Sequence, residues 1–308
     1  MRIDFASYTQ SRSRFTKSAG FILFMFLIFN PFFQTVRAQS VKGKSMQMHT
    51  IPLTGQNREI KKKGNKPVVG FISRLPYNLS DTGVRCAYDI LKNREDITPE
   101  FITLRELEKQ PGRMGRFSVL WYHRPDTTSL SMDETREKLL KNLKSWIENG
   151  GGLFLTQQAV HYLNALGYEG RTLTDSTKVC HDEGYGRKLG FHAFRKHPVF
   201  EGLNGGAYIN RPVFDITTRI TGFFGNEVPD GGKVVAVDWD YIFLRENSKI
   251  VFEYLPGKGR IIAVGGYMEY ALPNLNREHL VLFTENCIDY LLGKDDGQKK
   301  YYWDYSPN

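Results

Sequence analysis

The chain has 308 residues, 41% hydrophobic and 13% aromatic, enough apolar material for one large core with short tails. Residues 1–38 hold five Lys/Arg and one Asp, so they account for +4 of the formal +9 and leave +5 for the rest. That modest excess, with no aromatic-interleaved basic stripe, helix-turn-helix or zinc-finger spacing, argues against nucleic-acid binding.

Arg12, Arg14 and Lys17 precede an apolar run from Phe21 to Phe33, which is followed by Val36-Arg37-Ala38. A charged start, a short apolar core and small residues at the cut make residues 1–38 a secretory signal peptide. The run is shorter than the ~20 apolar residues of a bilayer span, which disfavours a retained anchor, and no cysteine follows it to carry a lipid. The mature chain is therefore expected to begin near Gln39 and to be periplasmic or secreted, with no membrane attachment once the signal is gone. Residues 39–65 are polar and lack a period, a flexible lead-in; Arg58, Lys61, Lys62, Lys63 and Lys66 cluster at its end as a solvated linker.

An α/β domain is predicted over residues 66–293. Pro67 to Ser73 is a continuous apolar run, as in a strand buried on both faces, and Ser80-Asp81 cap a helix that turns Val84, Ala87, Ile90 and Leu91 inward. Short strands follow at 101–104 and 117–122. A strong amphipathic helix from Asp133 to Asn149 is ended by Gly150-Gly151-Gly152. Leu153 to Thr156 is the next strand, and Ala159 to Leu166 a short helix closed by Gly167. Repeated strand-helix steps predict a doubly wound, mostly parallel sheet with helices on both faces. From Tyr168 to Val228 the texture becomes loop-rich, an insertion or an antiparallel edge. Strands return at 233–237, 250–254 and 260–266, a final helix runs from about Arg277 to Leu292, and residues 294–308 form a charged, aromatic tail.

Cys86, Cys180 and Cys287 are too few and too widely spaced for a disulfide framework. Cys86 and Cys287 fall in helical apolar patterns as buried thiols, whereas Cys180 lies in a polar loop.

Three segments together resemble the class I glutamine amidotransferase-like superfamily, especially its ThuA-like members: Trp146-Ile147-Glu148-Asn149-Gly150-Gly151-Gly152-Leu153-Phe154-Leu155, then His197-Pro198-Val199-Phe200-Glu201-Gly202-Leu203, then Gly257 to Gly266 with the helix ending Asn286 to Leu291. The resemblance covers roughly residues 66–293 and implies a flavodoxin-like sheet with a loop-rich insertion. Active members carry a Cys on a tight strand-to-helix elbow and a His after a late strand. Here the elbow reads Leu155-Thr156-Gln157-Gln158-Ala159, and the His-x-Glu segment reads Tyr267-Met268-Glu269. The resemblance therefore implies the fold and a pocket without the Cys-His pair, which argues against glutamine hydrolysis.

Ligands of open parallel sheets sit beyond the carboxyl ends of the strands, where this chain is unusually polar. Arg74, His123, Arg124, Gln157, Gln158, Trp239, Tyr267 and Glu269 are the candidate ligand-binding residues, suited to a carboxylate or a hydroxyl-rich sugar with an aromatic stacking face. The expected function is an exported, non-catalytic domain that binds a small polar or carbohydrate ligand, with no cofactor and no metal. One rival is a hydrolase or metal-dependent enzyme using Cys180-His181-Asp182-Glu183 with His192 and His197, whose ligand types suit zinc but whose spacing matches no metal motif. Another is a protein-interaction module whose tail Tyr301-Tyr302-Trp303-Asp304-Tyr305 docks on a partner or leads into a further domain.

Overall fold

The computed structural model describes residues 66–180, 189–193, 197–203, 206–210, 216–238 and 248–294. The expected signal peptide and lead-in, residues 1–65, and tail residues 295–308 lie outside the described residues. Side chains along the strands alternate between two separate cores. From β1 (Val68–Ser73), Val69 and Phe71 enter one and Ile72 the other; from β3 (Phe117–Arg124), Val119 and Trp121 separate in the same way from Leu120 and Tyr122. A strand feeding two cores must have a layer on each face, which explains its unbroken apolar run.

The first core is closed by α1 (Thr82–Lys92) and α5 (Arg277–Leu291), through Val84, Ala87, Ile90 and Leu91 of the one and Leu280, Phe283, Cys287 and Ile288 of the other. The second is closed by α2 (Leu104–Lys109), α3 (Glu137–Glu148) and the short α4 (Tyr162–Ala165). Each fully buried Leu or Phe contributes about 1.5–3 kcal/mol, so the helical faces hold the layers together. Asp81 caps α1 by accepting the amide of Val84 at 2.8 Å.

The remaining strands are β2 (Thr98–Thr103), β4 (Gly152–Gln157), β5 (Thr174–Cys180), β6 (Leu189–Ala193), β7 (Gly206–Asn210), β8 (Ile216–Phe223), β9 (Lys233–Asp238), β10 (Lys249–Tyr254) and β11 (Arg260–Val264). Among the described residues, nine strands form the main sheet in the order β2-β1-β3-β4-β11-β10-β9-β6-β7. Its first five are mutually parallel, in the 2-1-3-4-5 arrangement of flavodoxin-like folds. Only β10 and β6 run against the other strands, so the sheet is mostly parallel. The loop-rich stretch provides the antiparallel edge β6-β7 and a separate ribbon in which β5 pairs with β8.

The long amphipathic helix starts at Glu137, later than its pattern predicts, because Glu134 is buried and employed elsewhere: its carboxylate accepts from the Ser131 amide at 2.7 Å and the Tyr122 hydroxyl at 2.5 Å. Its end follows the glycines. Gly150, at φ +115°, donates to the Ile147 carbonyl at 2.8 Å and Gly151 to that of Trp146 at 3.1 Å, the paired bonds of a Schellman turn. Among the described residues, no helix is long and apolar enough to cross a membrane.

Candidate functional site

The chain leaves β1 outward to β2 and returns across it to β3, so the loops after β1 and β3 diverge and open a crevice between them. A cavity of about 230 Å³ lies there, lined among others by Ser73, Arg74, Ser80, Asp81, His123 and Asp126. A second cavity of about 310 Å³ meets it at Asp81, Pro125 and Asp126 and extends to Glu269 and Leu272.

His123 forms part of the first cavity's wall and is almost wholly buried. Its Nδ1 is held 2.9 Å from the Thr156 hydroxyl, and its ring packs edge-on against Tyr270. Burial pushes its pKa down to about 3, so the imidazole is neutral at neutral pH. Its Nε2 is buried and has no partner among the described residues. Buried ring nitrogens are ordinarily hydrogen-bonded, which makes this one conspicuous.

The two arginines play different parts. Arg124 is enclosed: it donates to the Thr128 and Ser129 carbonyls at 2.6 and 2.9 Å and pairs with Glu134 at 3.0 Å and Asp126 at 3.3 Å. It braces the loop after β3 and also lines the first cavity. Arg74 remains half-exposed on the rim, 3.4 Å from Asp126.

At the end of β4 the backbone turns sharply. Gln157, at φ 56° and ψ −129°, is the only non-glycine residue with positive φ among those described. Such a conformation costs on the order of 1–3 kcal/mol and persists only where its surroundings enforce it. The Gln157 amide donates to the Met268 carbonyl, tying the elbow to the loop after β11. Gln158 points elsewhere, accepting from the Thr221 hydroxyl at 2.6 Å. Thr221, Asp175 and His161 complete a polar cluster around it, with His161 Nε2 3.0 Å from Asp175. Neither glutamine lines the crevice, so Gln157 does not converge with Arg74 and His123 there.

Glu269 borders the second cavity, and Tyr267 is half-buried two residues before it. The Glu269 carboxylate accepts from the Ala271 amide at 2.7 Å. Burial raises its pKa above the usual value and the nearby charge of Asp81 raises it further, against the opposing effect of the Ala271 and Tyr270 amides. Asp81 was legible in the sequence as a helix cap but not as part of a site.

Trp239 and the 181–188 loop, with His181, lie outside the described residues. His197 is buried with its Nε2 3.6 Å from Glu253, whose carboxylate also accepts from the Tyr290 hydroxyl. Among the described residues, no group of three or more His, Cys, Asp and Glu is placed to hold a metal ion.

No protein-family model matches the chain, and none of the curated proteins does. Among solved structures it is similar to PurLQS from Thermotoga maritima (TM-score 0.49, 15% identity, 73% of this chain and 99% of that one). It is also similar to a ThuA-like protein from Parabacteroides merdae (TM-score 0.46, 14% identity, 75% and 91%) and to a β-galactosidase from Bacillus circulans sp. alkalophilus (TM-score 0.44, 11% identity, 76% and 31%). The chain spans about a third of the length of the β-galactosidases it matches. The likeness is one of fold.

Proposed function

We propose that this chain is an exported, non-catalytic amidotransferase-like domain that binds a small polar or carbohydrate ligand in the crevice between β1 and β3. The observation that carries this reading is His123, which lines a cavity at the topological switch point, where open α/β sheets hold their ligands, and whose buried Nε2 has no partner among the described residues. A neutral imidazole can donate one hydrogen bond or accept one, which suits a hydroxyl group. The elbow argues against glutamine hydrolysis, since it presents a carboxamide bonded to Met268 where active members carry a thiol. An amide there neither attacks a carbonyl nor accepts activation by a base.

Thermal-shift screening of the mature chain against sugars and polyols, followed by amide-resolved NMR of any ligand found, tests the reading. The ligand should perturb residues 73–81 and 122–126, bind more weakly to Arg74→Ala, and leave glutamine unhydrolysed. A footprint confined to the outer edge strands, or glutaminase activity of the purified chain, overturns it.

A further inference from the structure

The crevice carries an imbalance of charge that narrows the ligand class. Arg74 and Arg124 face Asp126 and Glu134, two cations against two carboxylates, with separations of 3.0–3.4 Å for the Arg74–Asp126, Arg124–Asp126 and Arg124–Glu134 pairs. Among the described residues, neither Asp81 nor Glu269 is ion-paired and no Lys or Arg lines the cavity they share. The two carboxylates converge at Gly83: a Cβ placed there would lie 3.3 Å from Asp81 Oδ1 and 3.3 Å from Glu269 Oε1. Glycine at this position in the first turn of α1 keeps open the space between them.

Resting on the polar-ligand reading above, we propose that the crevice selects a small hydroxylated primary amine, its ammonium group held between Asp81 and Glu269 and a hydroxyl group meeting Nε2 of His123. An ammonium group offers three donors and a full positive charge, and the two carboxylates, which accept the amide of Val84 and those of Ala271 and Tyr270, retain further acceptor capacity. An anionic ligand would instead meet two unneutralised carboxylates. A calcium ion demands six to eight oxygen ligands, more than these two side chains present. The hydroxyl requirement comes from His123, because a hydroxyl donates or accepts to suit whichever ring tautomer the Thr156 contact selects. The two ends belong to one ligand because the cavities meet at Asp81, and half-exposed Leu75 and Leu272 flank them as apolar walls for the carbon skeleton.

Titration calorimetry and amide-resolved NMR on the mature chain at pH 7.5, with glucosamine, ethanolamine, glucose, glucuronate and calcium chloride as probes, test this. Glucosamine should bind at least about tenfold more tightly than glucose, perturb amides 81–84, 123–126 and 269–271, and weaken with added salt. Asp81→Asn, which keeps a capping side chain, and Glu269→Gln should each reduce glucosamine affinity about tenfold or more while leaving the melting temperature close to that of the wild type. If glucose or glucuronate binds the same amides as tightly as glucosamine, the amine inference fails and the polar-ligand reading stands. Calcium bound there in preference to the amines also overturns the inference, and no perturbation of these amides by any probe overturns both readings.

Discussion

His123 and Thr156 stand opposite one another on the parallel strands β3 and β4, with Nδ1 2.9 Å from the hydroxyl oxygen. The same hydroxyl accepts the indole N–H of Trp121 at 2.9 Å, so one buried oxygen fixes two rings. Thr156 thereby fixes the His123 ring through Nδ1, while Nε2 has no partner among the described residues.

Replacing Thr156 with Val keeps the volume and removes both contacts. Each buried polar group left unsatisfied costs about 1–3 kcal/mol, so Thr156→Val should lower the urea midpoint clearly. Thr156→Ser, which keeps the oxygen, should recover most of the loss. Equal stabilities for the Val and Ser variants would remove Thr156 from this role.

The depressed pKa of His123 has a definite pH signature. Its folded-state pKa of about 3 lies below the ordinary 6.5, because burial penalises the charged ring. Between those values the unfolded chain binds more protons, so this group's contribution to stability is lost as pH falls below about 6.5. The slope reaches about 1.4 kcal/mol per pH unit. The stability difference between wild type and His123→Phe should therefore shift in favour of the variant from pH 7.5 to pH 5, as measured by chemical denaturation at each pH. A difference that stays constant would mean the ring titrates normally.

The arginines should separate sharply under mutation. Arg124 and Glu134 are both about 1% exposed, so Arg124→Met strands a buried carboxylate, and breaking such a pair costs on the order of 3–5 kcal/mol. Arg74 is 45% exposed, and its pairing is worth only about 0–1 kcal/mol. Arg74→Ala should therefore melt nearly as the wild type does while Arg124→Met is severely destabilised. The reverse order would exchange their assigned roles.

The parallel sheet was legible because β1, β3, β4 and β11 each carry apolar residues on both faces, a pattern that survives without knowledge of their partners. The capping of α1 by Asp81 was equally plain. The start of α3 was not, since Asp133 to Arg136 fit a helical pattern and only the burial of Glu134 against Arg124 withdraws them from it. The site divided in the same way. The rule of strand ends singles out Arg74, just after β1, and His123, near the end of β3, but the bracing by Arg124 and the approach of Asp81 and Glu269 to Gly83 depend on loops brought together from distant parts of the chain. The Asp175–His161 pair depends on the β5-β8 ribbon, whose strands lack a clear apolar alternation.

The elbow offers the last prediction. Gln157 adopts a positive φ that an L-residue with a side chain disfavours and glycine accepts readily. Its side chain also bonds the Met268 carbonyl, so a single substitution to Gly mixes relief of strain with loss of that contact. Comparing Gln157→Gly with Gln157→Ala removes the ambiguity, because both lose the amide and only Ala retains the Cβ. If the backbone is strained as its angles indicate, the Gly variant should be the more stable of the two by about 1 kcal/mol, despite the greater entropy glycine loses on folding. In an ordinary extended or helical position the order is reversed, with Ala favoured by roughly 0.5–1 kcal/mol. Equilibrium urea unfolding of the two variants measures the sign directly, and Ala more stable than Gly would mean that the strand-to-helix turn is not held in the strained form.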